Sequence, residues 1–169
     1  LLACSPLPEP PDAGAQLLPD AGPSAPEVDA GVPQLVWRPG GAVLQQPRDH
    51  HASLVVARGG RAWLYVTGGT DGWATLHDTI ERAEVLDGGS LGPFQQLGRL
   101  PQARAGPTAV ELGGHLVVTG GLTEVPQGRY TLDTTTSAPI RDDGTLGDWV
   151  AGPRLPSAVM HHSCDVVGG

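Results

Sequence analysis

The sequence predicts an all-β fold built from repeated four-stranded antiparallel sheets, and three observations carry that expectation. First, a segment returns at a fixed offset. Asp87-Gly88-Gly89-Ser90-Leu91-Gly92-Pro93-Phe94 running on to Leu100-Pro101 matches Asp142-Asp143-Gly144-Thr145-Leu146-Gly147-Asp148-Trp149 running on to Leu155-Pro156, each position 55 residues later. A constant period of this length marks a repeat architecture, in which each unit buries its apolar faces against its neighbours. Second, short apolar and β-branched runs end in Gly-Gly, at Gly68-Gly69 and again at Gly120-Gly121. Third, the 169 residues hold 25 Gly and 17 Pro, a composition that favours strands and turns over long helices.

The elements follow in order. Ala52 to Ala57 and Arg61 to Gly69 read as two strands around Gly59-Gly60, a pair suited to a two-residue hairpin turn. Thr108 to Leu112 and Gly114 to Gly121 repeat the pattern around Gly113-Gly114. The second strand of each pair is apolar almost throughout, which predicts burial on both faces. A third strand spans Thr79 to Leu86, where Ile80, Arg82 and Glu84 alternate with Glu81, Ala83 and Val85; its counterpart is Thr134 to Ile140. Asp-Gly-Gly and Asp-Asp-Gly then turn the chain into a fourth strand carrying Phe94 or Trp149. The acids in these turns cap their own backbone more often than they do chemistry, so Arg104 with Asp87, Asp142, Asp143 and Asp148 is read as structural.

Residues before Leu35 are a different kind of segment. They hold five acids, Glu9, Asp12, Asp20, Glu27 and Asp29, and no Arg. Eight prolines, from Pro6 to Pro33, lie among Ala and Gly. Such a stretch cannot bury enough apolar surface to offset its ordering entropy, which predicts a disordered or extended tether. The net charge of −8 argues against a nucleic-acid partner, which needs a basic footprint. All ten basic residues are Arg, and the chain has neither Lys nor Asn, as a GC-rich genome would produce. No apolar run approaches the roughly 20 residues that span a bilayer.

Two resemblances extend these readings. Leu1-Leu2-Ala3-Cys4-Ser5 resembles the bacterial lipobox, in which a signal peptide is cut before a Cys that is then acylated. The resemblance implies that residues 1–3 end a signal peptide. It also implies that Cys4 is the lipid attachment site, with 4–34 as anchor and tether. Two or more acyl chains, at about 0.8 kcal/mol per buried CH₂, would hold the chain stably at a membrane. Ser5 after the Cys implies, by enterobacterial sorting rules, the outer membrane.

The region 35–169 resembles Kelch repeats, and among them the bacterial propellers related to the galactose oxidase central domain. The resemblance rests on Gly-Gly after the second strand, an aromatic on the fourth, and a Pro, preceded by Leu in the second and third cases, followed by Arg or His: Pro47-Arg48-Asp49-His50-His51, Pro101-Gln102-Ala103-Arg104-Ala105-Gly106-Pro107, and Pro156-Ser157-Ala158-Val159-Met160-His161-His162. It implies a partial β-propeller of about two and a half blades, short of the four to eight that close a ring, and hence a fragment of a longer protein. Leu35 to Trp37 would then be an outer strand of the final blade, and Gly168-Gly169 a hairpin turn. The resemblance also implies that His50-His51 and His161-His162 belong to the repeat pattern and not to a metal site. Galactose oxidase relatives hold copper with Tyr and His ligands and a Tyr-Cys crosslink. Here Tyr65 reads as strand core and Cys164, which aligns with Ala109, as a small core residue, so no copper or other cofactor is expected.

Function is expected on the two long connections, Thr70 to Asp78 and Leu122 to Asp133, because binding residues concentrate on loops held by a rigid scaffold. Trp73, His77, Arg129 and Tyr130 are the candidate binding residues; the two aromatics suit contact with a sugar or a protein, or else pack on the neighbouring blade. The expected protein is an envelope lipoprotein held at the membrane by its lipid, whose propeller binds a protein or glycan. The alternative is an extracytoplasmic enzyme, a sugar lyase or epimerase or a copper oxidase, with its active site in blades beyond this sequence. No Cys-x-x-Cys or phosphate loop is present.

Overall fold

The structure is a computed structural model and describes residues 40–72 and 74–167. Cys4, expected to carry the lipid, the expected tether, Leu35 to Trp37, Trp73 and Gly168-Gly169 lie outside the described residues. Arg38–Gly169 forms one compact unit by its internal contacts.

Two four-stranded antiparallel sheets make up that unit. The first joins β1 (Ala52–Arg58), β2 (Arg61–Thr67), β3 (Thr79–Val85) and β4 (Gln95–Arg99) in sequence order. The second contains β5 (Thr108–Leu112), β6 (His115–Thr119), β9 (Thr135–Pro139) and β10 (Val150–Ala151), ordered β10-β9-β6-β5. Between β6 and β9 the chain inserts a two-stranded hairpin, β7 (Leu122–Val125) and β8 (Gly128–Thr131). Among the described residues, no helix is long and apolar enough to cross a membrane.

The hairpin turns form where glycine permits them. Arg58 pairs with Arg61 across Gly59-Gly60, whose φ values are 57° and 74°. Leu112 pairs with His115 across Gly113-Gly114, at 58° and 83°. Both central residues are left-handed, the geometry whose twist matches the flanking strands.

The 55-residue offset appears as a recurring set of backbone hydrogen bonds. Leu86 N–H to Ser90 O, Gly89 N–H to Leu86 O and Gly92 N–H to Glu84 O recur as Arg141 to Thr145, Gly144 to Arg141 and Gly147 to Pro139, all at 2.8 to 3.0 Å. Leu100 N–H to Asp78 O recurs as Leu155 N–H to Asp133 O. Ion pairs recur with them: Arg99 to Asp78 at 2.6 Å and Arg154 to Asp133 at 2.5 Å. The Arg154 hydrogen bond holds the Asp133 carboxyl below its usual range.

The two faces of the first sheet are covered differently. Trp63, Tyr65 and Ile80 point to the second sheet and pack with Leu116, Val118 and Ile140 into the main core. The Tyr65 hydroxyl, fully buried, donates to Gly144 O at 2.7 Å. The Arg82 guanidinium lies 4.0 Å from the Trp63 ring and donates to Asp143 O, so the second unit's turn is latched onto the first unit's aromatics. The opposite face, with Val66, Ala83 and Phe94, is covered by Ala42 and Leu44 from the segment that leads into β1.

Three expectations need adjusting. Phe94 and Trp149 sit just before the fourth strands, which begin at Gln95 and Val150. The connection from Leu122 to Asp133 is a hairpin, not an open loop. Cys164 is exposed and not core, because residues around it form no strand that could pack it.

Candidate functional site

One end of the two sheets gathers the loop-borne residues. The chain enters β1 and β5 there, and β2 and β6 finish there at Gly-Gly. Asp49 and Thr70 exchange backbone hydrogen bonds of 2.9 and 3.0 Å, and Ala105 and Leu122 exchange bonds of 2.9 and 2.7 Å. Both long connections therefore leave from this same end.

A ladder of left-handed residues runs across it. His50 has φ 49°, Gly106 61° and His161 54°. Gly106 N–H donates to His50 O at 2.6 Å, and His161 N–H donates to Gly106 O at 2.9 Å. Non-glycine residues rarely hold this conformation, and His is among those enriched there. The His50 and His161 ring centroids stand 4.9 Å apart, tilted by 40°. Gly106 makes this possible, since a Cβ there would lie 2.7 Å from His161 Nε2. Asp49 Oδ1 is 3.0 Å from His50 Nδ1. His162 packs over Gly120, its Nε2 2.9 Å from Thr119 Oγ1, and desolvation holds its pKa below the ordinary imidazole value. Two imidazoles and one carboxylate meet on the ladder; among the described residues no three His, Cys, Asp or Glu side chains are grouped to hold a metal ion.

The sequence-predicted residues separate here. Trp73 lies outside the described residues. His77 is buried at 8% exposure, its N–H donating to Gly69 O and its carbonyl accepting from Arg104 N–H. Leu132 makes the matching pair of bonds, to Gly121 O and from Val159 N–H, so His77 fills a packing position that the second unit gives to leucine. Its side chain is thus buried, a placement that depends on the hydrogen-bond frame and not on local composition. Arg129 and Tyr130 do reach the surface, on β8. Arg129 Nε is 2.8 Å from Glu124 Oε2 across the hairpin, and Tyr130 is 46% exposed, its hydroxyl at a long 3.5 Å from Gln102 Nε2.

Sequence reasoning missed a contrast between two buried arginines. Arg48 donates to Gly68 O at 2.8 Å and meets Glu81 Oε1 at 2.6 Å, both side chains being fully buried. Glu81 also accepts the backbone N–H groups of Gln45 and Gln46. Arg104 occupies the same place in the second unit and donates to Gly120 O at 3.0 Å. It pairs with none of Asp87, Asp142, Asp143 or Asp148, nor with any other described carboxylate. Burial lowers its pKa to about 10, which leaves it a cation at neutral pH. An Arg follows a Pro in both segments, at Arg48 and at Arg104, which hinted at equivalent arginines, but the groups they meet are distant in sequence.

No family model matches the chain, and no curated protein does. The chain is similar in fold to a solved structure described as "Structure of YjhT", with a TM-score of 0.57 and 15% identity over 74% of this chain. The match covers 33% of that protein, so this chain spans about a third of its length.

Proposed function

We propose that this chain belongs to a Kelch-type β-propeller lipoprotein, anchored through Cys4 to a bacterial cell envelope, whose loop-bearing end binds a protein or glycan partner. The observation that carries the reading is the divergence of two otherwise matched units at that end. The backbone frame repeats bond for bond, while the connection after the second strand changes from nine residues, 70–78, to the twelve of 122–133 with their projecting β7–β8 hairpin. A frame kept constant beneath unlike insertions is how a scaffold presents specificity. Tyr130 offers an amphipathic ring, and the Arg129–Glu124 pair flanks it with both signs of charge. The fold likeness and the 55-residue frame support the propeller; the lipobox and the proline-rich tether support the anchor.

A direct test presents labelled protein to an array of envelope glycans and outer-membrane proteins. Arg129→Glu with Tyr130→Ala should weaken the best partner at least tenfold without moving the melting temperature. Unchanged binding in that variant removes the hairpin from the function. Metabolic labelling with an alkyne fatty acid tests the anchor: the label should be lost in Cys4→Ala, and wild-type protein that never takes it up overturns the lipoprotein reading.

A further inference from the structure

The junction between the two sheets holds a cleft of about 410 Å³, with Pro101, Gln102, Arg104, Thr134, Thr136 and Trp149 in its wall. We propose that this cleft binds a small carboxylate-bearing molecule, whose carboxylate takes the place that the Glu81 side chain occupies in the first unit. The inference is independent of the scaffold reading, because it rests on an internal comparison.

Strand register makes that comparison residue by residue. Thr67, just before Gly68-Gly69, pairs with Ile80, and Thr119, just before Gly120-Gly121, pairs with Thr135. The next residues are Glu81 and Thr136. Thr136 is too short to reach a guanidinium as Glu81 does, and its hydroxyl donates instead to Val150 O at 3.2 Å. Arg104 is only 2% exposed, and its Nε is buried without a partner. A buried cation without a counter-charge is costly, and a planar fork of N–H donors fits a carboxylate in bidentate fashion.

One of the two backbone donors that serve Glu81 is kept in the second unit. In the first unit the Glu81 carboxylate accepts from Gln45 and Gln46 N–H. Counting back from Arg104 as from Arg48, their counterparts are Pro101, which has no N–H, and Gln102, which has one. Thr134 Oγ1, buried without a partner, is a further hydroxyl in the cleft wall. Trp149, Val150 and Ala151 line another part of the wall, so the group attached to the carboxylate should be apolar and compact.

The test is a titration of the full chain with propionate at pH 7, following the Arg104 Nε–H resonance and the melting temperature, with sodium chloride at matched ionic strength as control. Propionate should shift the resonance saturably and raise the melting temperature, as any ligand specific to the folded state does. Thr136→Glu, which supplies a tethered carboxylate, should raise the melting temperature by itself and cut propionate affinity at least tenfold. No saturable shift in the wild type overturns the proposal whether or not that variant folds. Equal affinity in the Thr136→Glu protein overturns it too, as does equal saturation by chloride or inorganic phosphate.

Discussion

In the first unit the buried Arg48 side chain meets the buried Glu81 side chain, whereas in the second Thr136 stands at the register of Glu81; the bonds from Arg48 to Gly68 O and from Arg104 to Gly120 O are matched. The contrast extends over the sheet faces. The first sheet turns Trp63, Tyr65 and Ile80 toward its neighbour, and the second carries His115, Val117 and Thr135 at the matching register. Its fourth strand is two residues long, against five in the first. The backbone frame is kept by glycine turns and main-chain hydrogen bonds, which need few particular side chains. Core chemistry is thereby free to diverge between units.

The largest expected effect tests the ion pair. Glu81→Gln leaves Arg48 buried without its counter-charge and should cost about 3–5 kcal/mol in chemical denaturation. Thr136→Ala removes one hydrogen bond and should cost only about 0.5–1.5 kcal/mol. Similar losses at the two positions would mean that the two arginine sites are energetically alike, and the contrast would fail. Ile80→Ala comes next, at about 2–5 kcal/mol, because Ile80 is fully buried between the sheets. Thr135→Ala, half-buried at the paired register, should stay under about 1 kcal/mol in the same measurement.

Gly106→Ala probes the ladder. It adds backbone strain at φ 61° and a collision with the His161 ring, so a loss of about 1–3 kcal/mol is expected. Gly60→Ala carries strain at φ 74° in open space and should cost less, near 1 kcal/mol. A greater loss at Gly60 would show that contact with the imidazole is not what the ladder needs.

The smallest effect is a pH dependence. His162 has a folded pKa below its unfolded value, so between the two the unfolded chain binds more protons and stability rises with pH. Its contribution is complete above the unfolded value of about 6.5 and is lost as pH falls through that window. His162→Gln should flatten the fall in melting temperature between pH 7 and pH 5; an unaltered slope would assign the dependence to other groups.

Much of the local structure was legible, and the residues show why. Gly59-Gly60 and Gly113-Gly114 announce their turns because a left-handed pair is a local demand. β2 and β6 were legible from apolar runs closed by Gly-Gly. The β7–β8 hairpin had a signal too: Pro126-Gln127-Gly128 between Leu122-Thr-Glu-Val and Arg129-Tyr-Thr is a turn flanked by strand formers. It was overlooked because the repeat period assigned that stretch to a connection. His77 misled for a different reason, since an isolated His in a loop looks accessible until the Gly69 and Arg104 bonds draw it inside.

The sequence by itself determined the strands, the glycine turns and the repeat offset, all of which depend on a few neighbouring residues and their φ/ψ preferences. Only the tertiary structure decided which groups meet. Arg48 reaches Glu81 across 33 residues, His50 reaches His161 across two repeat periods, and Arg104 shares a cleft wall with a threonine where its twin meets a carboxylate. Those meetings depend on strand register and sheet stacking, long-range constraints that loop closure imposes on the chain as a whole and that no local window contains.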